Sequence, residues 1–550
     1  LQIASRRPFA ALFVFCALLW LPGVFSLPPL DRDESRFAQS SKQMLETDNF
    51  IDIRFGFVPR YKKPVGIYWL QAASTAITGW GERTHIWTYR LPSFLGGLIA
   101  AWLTFWLARA VAPPETAFAS ALLLAGTLLL SAESIIATTD AVLLATIVAA
   151  QAMLLRAYLA RDPLPWAIAL AGWAAMGIGI LVKGITPGIC ALTVLSLCLW
   201  DRDARWLART RPIAGIALML LIALPWAIAI WIQSHGAFFA QSVGNDFAAK
   251  LAGGQETHGA PPGYYLALVS AAMWPATLFL IPAIAFAVMR REVPAVRFLI
   301  AWAASVWVVA EIIPTKLPHY VLPAYPALTV LMAMWIGSQI TLKRERLFAG
   351  LGLLQYALGT IAIAAAPVIV TILYAGHSPI WLTAASAIGG ALGLVAIPRF
   401  LKGDASGAIG FAAASAVVLY AVLTLGAAPQ LQWLWVSPRA AAIVAKDARP
   451  GDPPVVLAGY EEPSLVFLLG TNTQLAVDGS AAADAFADAG GLALIERREF
   501  KSFAIRLAQM GAEVARVDTL SGLNYSRGKP VTIDVFRVQP VHQVIAPPGE

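Results

Sequence analysis

Residues 8–36 read PFAALFVFCALLWLPGVFSLPPLDRDESR, an apolar run that ends in a burst of charge at Asp31, Arg32, Asp33, Glu34 and Arg36. A helix rising about 1.5 Å per residue crosses a hydrocarbon core of about 30 Å with a run of this length. Arg6 and Arg7 precede it, as basic residues precede a secretory signal. No small-x-small cleavage pattern follows, because SLPPLDRDE comes next, so the run reads as an uncleaved first span. That reading sets the side on which every later loop falls.

Runs of this kind recur along most of the 550 residues, which are 58% hydrophobic and only 13% charged. A soluble chain would carry about a quarter charged residues. Hydropathy places about thirteen spans, at 8–28, 89–111, 115–131, 135–159, 165–182, 185–200, 212–232, 263–289, 296–313, 318–340, 347–374, 379–398 and 405–427. With the N-terminus cytoplasmic, the short inner loops collect Arg6, Arg7, Arg156 and Arg161, the four arginines of DRDARWLARTRP, RREVPAVR, KRER, Arg399 and Lys402. The outer short loops hold Lys183, Lys250 and Lys316, an asymmetry of roughly fivefold. The net charge of +8 is therefore cytoplasmic anchoring rather than a nucleic-acid surface. Cys16, Cys190 and Cys198 lie in apolar runs at unrelated spacings, which reads as core packing without a disulfide or zinc framework.

The fold expected is a polytopic α-helical membrane domain over 1–429, with outer loops 29–88 and 233–262, followed by an outer α/β domain over 430–550. In the latter, PPVVLAGY, GGLALIERREF, EVARVDTL and PVTIDVFRVQ read as strands and KSFAIRLAQMG as a helix.

The first outer loop holds the acidic cluster and also RYKKP, with Arg60, Tyr61, Lys62 and Lys63. Cations on that side run against the topological trend, and phosphate, which lysine and arginine bind by charge and hydrogen bonding, gives them a reason to be there. The plainer alternative is a solvated loop or an anchor on lipid headgroups. Asp140, in SIIATTDAVLLAT, falls inside an apolar run. An acid there costs about 2.5–3.5 kcal/mol on insertion scales and is a functional candidate by default. Lys183 and Lys316 fall at outer span ends, where a lysine also simply snorkels. Glu256 and His258 in the second outer loop stand at i, i+2, and two ligands do not make a metal site.

At these residues the chain resembles the lipid A aminoarabinose transferases, within the protein O-mannosyltransferase-like superfamily of GT-C glycosyltransferases. The motifs that carry the resemblance are LDRDESRFAQSSKQML, RYKKPVGIYWL, ATTDAVLL, LVKGITPG, HGAPPGYY, TKLPHYVLPAYPAL and GYEEPSLVFLLG, in that order. The resemblance implies a polyprenyl-phosphate-sugar-dependent transferase of the ArnT-like type. It places Asp33, Glu34 and Asp140 as catalytic acids. Arg36, Tyr61, Lys62, Lys63, Lys183, His258, Lys316 and Tyr320 would bind carrier phosphate and substrate. One position departs from the family pattern: a glutamate that pairs with the loop histidine as a metal ligand is here Lys62, leaving His258 alone. A cation in place of a carboxylate ligand argues against a divalent metal and supplies charge of the same sign.

The implied partners are an undecaprenyl-phosphate-linked sugar donor, a lipid A or related glycolipid acceptor and membrane lipids, with no nucleic acid. The implied location is the bacterial inner membrane, with the C-terminal domain periplasmic. Protein O-mannosyl transfer and a lipid-linked sugar flippase are the competing readings. No broken-helix repeat pair of the transporter kind is apparent, and the ionisable residues gather at one face rather than at mid-membrane.

Overall fold

The computed structural model describes residues 4–242, 244, 259–338, 345–486, 490–512 and 514–538. The chain runs through α1 (Pro8–Ser26), α2 (Asp33–Thr47), a small hairpin of β1 (Arg54–Phe55) and β2 (Val58–Pro59), α3 (Gly66–Thr78) and α4 (Ile86–Ala108). It continues through α5 (Pro114–Gly126), α6 (Leu128–Ser134), α7 (Asp140–Leu159), α8 (Trp166–Val182), α9 (Thr186–Asp201) and α10 (Pro212–Gln233). After residue 258 come α11 (Tyr264–Ala272), α12 (Thr277–Met289), α13 (Pro294–Ile312), a 3-10 segment (Pro318–Ala324), α14 (Tyr325–Ser338), α15 (Glu345–Ala375), α16 (Ile380–Leu401) and α17 (Ala405–Ala421). Proline stands in the first turn of α1, α5, α9, α10 and α13, where its fixed φ suits a helix start and its missing N–H is no loss.

Among the described residues, nine helices are long and apolar enough to cross a membrane, ten counting one bent pair. With the shorter apolar helices Trp166–Val182, Thr186–Asp201 and Thr277–Met289, they coincide with every segment expected from hydropathy. The protein is a multi-pass membrane protein. Three segments expected to be continuous are not. Residues 115–131 bend by 66° between α5 and α6, where Thr127 is extended. The freed backbone groups are taken up by neighbours: Tyr420 Oη donates to Gly126 O at 2.9 Å, and Leu128 N–H donates to Trp274 O at 2.9 Å. Residues 263–289 divide into α11 and α12. Residues 135–139 are irregular and α7 starts at Asp140, so this acid opens a helix instead of lying within one, where the helix dipole favours a carboxylate. Cys16 and Cys190 are buried among apolar side chains, as expected for packing residues.

Close helix crossings bring segments that carry the candidate residues together through two glycines. A Cβ on Gly96 of α4 would lie 2.7 Å from the Val142 backbone in α7, just after Asp140. A Cβ on Gly66 of α3 would lie 2.8 Å from the Leu181 carbonyl at the end of α8, next to Lys183. Only a residue without a side chain permits backbones this near.

The C-terminal domain comprises α18 (Val436–Asp447), β3 (Val456–Ala458), α19 (Pro463–Leu469), β4 (Gln474–Ala476), α20 (Gly479–Phe486), β5 (Gly491–Glu496), α21 (Phe500–Met510), β6 (Val514–Asn524) and β7 (Lys529–Val538). Its sheet has the order β4-β3-β5-β7-β6, with β3 parallel to β4 and β5, and β7 antiparallel to β5 and β6. All four expected strands and the expected helix are present; β4 and the helices α18, α19 and α20 are additions.

This domain docks on the first loop. Phe467 of α19 is fully buried among Ala38, Ile86, Tyr89 and Ala137, and its carbonyl accepts a hydrogen bond from Lys42 Nζ at 3.1 Å. Beside it, Ser464 donates to the Asp31 carboxylate, Asp31 N–H donates to Tyr525 Oη at 2.7 Å, and the Arg32 guanidinium donates to Ser526 O. These contacts hold Arg32 at φ 63°, a backbone conformation that non-glycine residues rarely adopt, immediately before α2.

The start of α2 is fixed from the other side by Arg90 of α4. Its Nε and Nη2 donate to the two Glu34 oxygens at 2.7 and 2.8 Å, and its remaining donors go to the carbonyls of Val24, Leu27 and Pro28. Glu34 also accepts the N–H groups of Leu30 and Ala137, both at 2.8 Å. Breaking such a buried pair costs about 3–5 kcal/mol, because the remaining partner is left charged and unpaired. Arg90→Met should therefore lower the unfolding midpoint of the detergent-solubilised protein markedly, and an unchanged midpoint would contradict this role.

Burial lifts the Asp31 carboxyl to about 6, against the Ser464 hydrogen bond that lowers it. The folded value lies above the ordinary one of about 3.9, so this contribution to stability is full below about pH 4 and is lost as pH rises through about 6. The stability difference between native protein and Asp31→Asn should change across that window and be flat above about pH 7. A pH-independent difference would refute the assignment.

Candidate active site

Asp33 and Glu34 open α2 as neighbours, and adjacent helical side chains point about 100° apart. Glu34 turns inward to Arg90, and Asp33 turns outward with its side chain 69% exposed. The structure thus separates two acids that the sequence groups together: both Glu34 oxygens are committed to the framework, and Asp33 is the accessible one. Arg36 lies one turn further along α2, half-buried.

The RYKKP segment lies against this turn. Arg60 Nη2 stands 3.7 Å from Asp33 Oδ1, and the guanidinium lies over the Phe37 ring at 5.1 Å. Arg60 is only 8% exposed, yet its Nε has no hydrogen-bond partner among the described residues. The Tyr68 hydroxyl, fully buried, makes no bond of full hydrogen-bond geometry either, and it lies against the Arg60 guanidinium, which interacts with it by charge and as a donor. Buried donors are nearly always satisfied, so two orphans beside an accessible carboxylate mark a place for an acceptor-rich ligand. Sequence reasoning counted Arg60 among the cations suited to phosphate but left it out of the residues placed by the resemblance, and it missed Tyr68 in the same motif, RYKKPVGIYWL. Lys62 is exposed and Lys63 half-buried, and both make polar contacts.

Two expected substrate contacts are otherwise engaged. Tyr61 donates its hydroxyl to Asp52 at 2.7 Å, and burial together with that carboxylate pushes the phenol up to about 12. Lys316 Nζ donates to the carbonyls of Ala310 and Glu311 at 2.9 and 2.6 Å, closing the C-terminal end of α13, and lies over the Tyr265 ring. A lysine bonded to terminal helix carbonyls is a capping residue. Tyr320 is half-buried in the 3-10 segment, its ring 5.2 Å from that of His319.

A second group of ionisable side chains gathers around Asp140. Lys183 Nζ lies 2.7 Å from Asp140 Oδ1, and Thr139 Oγ1 donates to Oδ2 at 3.1 Å. Glu133 accepts from Thr138 Oγ1 at 3.0 Å, and His319 Nδ1 lies 3.5 Å from Glu133 Oε1. Candidate ligand atoms of Glu133, Asp140 and His319 fall within 4.8 Å of one another. Sequence reasoning missed Glu133 and His319, although an acid in the apolar stretch LLLSAESII was as costly a placement as Asp140.

The metal position that the resemblance implies carries a changed ligand set. The glutamate ligand is replaced by Lys62, an exposed cation, and His258 lies outside the described residues. Glu133, Asp140 and His319 offer three donors, but the ammonium of Lys183 already holds Asp140.

Residues 62–231 match the family model described as dolichyl-phosphate-mannose-protein mannosyltransferase. A curated relative from Pseudomonas aeruginosa, named undecaprenyl phosphate-alpha-4-amino-4-deoxy-L-arabinose arabinosyl transferase, is 29% identical over 365 residues, 64% of this chain and 64% of the relative. One of the same name from Pectobacterium atrosepticum is 29% identical over 355 residues, 61% of this chain and 60% of the relative. The alignments thus span less than two thirds of these relatives. The crystal structure of ArnT from Cupriavidus metallidurans bound to undecaprenyl phosphate superimposes with a TM-score of 0.74 at 19% identity, covering 96% of this chain and 97% of that one. Its apo form gives 0.73. The overall fold is the same, and the family model and the curated relatives support the family that the motifs resemble.

Proposed function

We propose that this ArnT-like GT-C chain is an inverting glycosyltransferase. It would move a sugar from a polyprenyl (undecaprenyl) phosphate carrier to lipid A or a related envelope glycolipid at the periplasmic face of the inner membrane, with the N-terminus cytoplasmic and the C-terminal domain periplasmic. The observation that carries the reading is the pairing of an accessible carboxylate, Asp33, with buried, under-satisfied donors on Arg60 and Tyr68, beside Lys62 and Lys63. The names of the curated relatives, which specify an undecaprenyl phosphate donor, support it.

The acceptor oxygen forms a bond to the anomeric carbon from one side, and the bond to the carrier phosphate oxygen breaks on the other. The leaving group departs as a phosphate that is already ionised, so it needs cations and hydrogen-bond donors rather than a general acid. Arg60, Tyr68, Lys62, Lys63 and Arg36 supply these. Asp33 takes the proton of an alcohol acceptor; for a phosphate acceptor, which is ionised beforehand, it orients the sugar. Glu34 is a positioning residue that acts through Arg90, and Lys316 and Tyr61 serve the framework. No step is routed through a metal.

Purified protein supplied with undecaprenyl-phosphate-linked sugar and lipid A should yield lipid A heavier by one sugar residue in mass spectra. Asp33→Asn and Lys63→Ala should each reduce transfer by about 10²-fold or more, the scale of losing one stabilising group at a developing charge, with the melting curve unchanged. Full activity in both variants would overturn the proposed roles. A shifted peptide in place of shifted lipid A would favour the protein acceptor suggested by the mannosyltransferase family model.

A further inference from the structure

We infer that the C-terminal domain sets the position of Asp33 through the strained backbone of Arg32, with Tyr525 and Ser464 as positioning residues; this rests on the transferase reading above. Arg32 has φ 63° and ψ −116°. Asp48, Arg202 and Arg211 also have positive φ, but their ψ values of 20°, 32° and 55° are left-handed helical. The Arg32 angles are those of the first central position of a type II′ turn, which glycine dominates because it has no Cβ to clash. Any other residue stays in such a region only when its surroundings impose it, and strain of this kind gathers at functional sites.

What the strain controls is the first turn of α2. The Arg32 carbonyl accepts the opening helical hydrogen bond, from Arg36 N–H at 3.2 Å. Its ψ therefore aims the peptide that joins it to Asp33, the first residue of the helix. Relaxing Arg32 to an ordinary conformation would rotate that peptide, break this bond and carry Asp33 away from Arg60, which now stands 3.7 Å from its carboxylate.

The restraint comes from two sides. The membrane domain grips Leu30 and Glu34: Leu30 N–H donates to Glu34 Oε2, and Arg90 holds the same carboxylate. The C-terminal domain grips the two residues that directly precede Asp33. Tyr525 Oη accepts from Asp31 N–H at 2.7 Å, Ser464 donates to the Asp31 carboxylate, and the Ser526 carbonyl accepts from the Arg32 guanidinium.

These gripping groups are themselves fixed. Asn524 donates to Glu462 at 2.8 Å, Leu523 N–H donates to Trp433 O at 2.8 Å, and Ser464 Oγ lies 2.6 Å from Ser437 Oγ. Tyr525 and Ser464 make no hydrogen bond to Asp33 among the described residues, so they act on it through the chain. Docking of the domain has its own anchor in the buried Phe467 and its bond from Lys42. The grip on residues 31 and 32 can therefore be loosened without undocking the domain.

The test compares full-length native protein with a double variant, Tyr525→Phe and Ser464→Ala, that keeps Phe467. Transfer from an undecaprenyl-phosphate-linked sugar should fall about tenfold or more in kcat, the scale of a small misplacement of a reacting group. The donor KM should not change, because the cations at residues 60–63 are untouched, and the melting curve should stay close to native. Adding Arg32→Gly should restore most of the lost kcat, since glycine adopts these angles without being forced. Amide exchange gives a readout independent of transfer: the Arg36 amide should exchange faster in the double variant and return toward the native rate with the glycine. Native kcat in the double variant, a loss that the glycine does not restore, or unchanged exchange at Arg36 would overturn the inference. No transfer by native protein, with the exchange pattern as expected, would overturn the transferase reading and leave the control of α2 by the C-terminal domain in place.

Discussion

The buried pair of Glu34 and Arg90 is the constraint on which the membrane-proximal face is built. All five guanidinium donors are engaged, and both carboxylate oxygens accept two hydrogen bonds. One pair of side chains thereby fixes the end of α1, the linker to α2, the start of α2, the second turn of α4 and the segment leading into α7. Because successive helical residues diverge by about 100°, locking Glu34 inward also aims Asp33 outward. A framework function and an accessible acid follow from two adjacent residues.

From that anchor two ionisable groups are set side by side. One is cationic and belongs to the first loop, at Arg60, Lys62 and Lys63; the other is mixed and belongs to the helix ends around Asp140. Glycines at 66 and 96 let the backbones approach closely enough to bring them near, and the docking of Phe467 closes the first loop from the side of the C-terminal domain. Charges enclosed in a low-dielectric surrounding interact more strongly than they would in water, which suits the phosphate departure proposed above.

Much of this was legible in the sequence because membrane helices announce themselves by length and composition alone. The apolar segments, the α/β domain and the sharing of one face by the first loop and Asp140 followed from hydropathy and charge. What escaped depended on three-dimensional pairing. Arg90 sits in an apolar helix without any local motif, and its role appears only when Glu34 is found against it. Tyr61 and Lys316 stand in motif positions, yet one meets Asp52 and the other the end of α13. The break at Thr127 and the start of α7 at Asp140 rest on hydrogen bonds between helices, which periodicity does not report. β4 lacks the continuous apolar run that made the equally short β3 legible, being buried at only one of its three residues.

The most direct measurement is the affinity of the purified, detergent-solubilised protein for undecaprenyl phosphate, compared between native protein and Arg60→Met. Arg60 is buried with an unsatisfied Nε, and its Nη2 stands beside the accessible Asp33, so binding should weaken by tenfold or more and lose part of its salt dependence. Affinity and salt dependence equal to those of native protein, in a variant that melts normally, would contradict phosphate binding at this face.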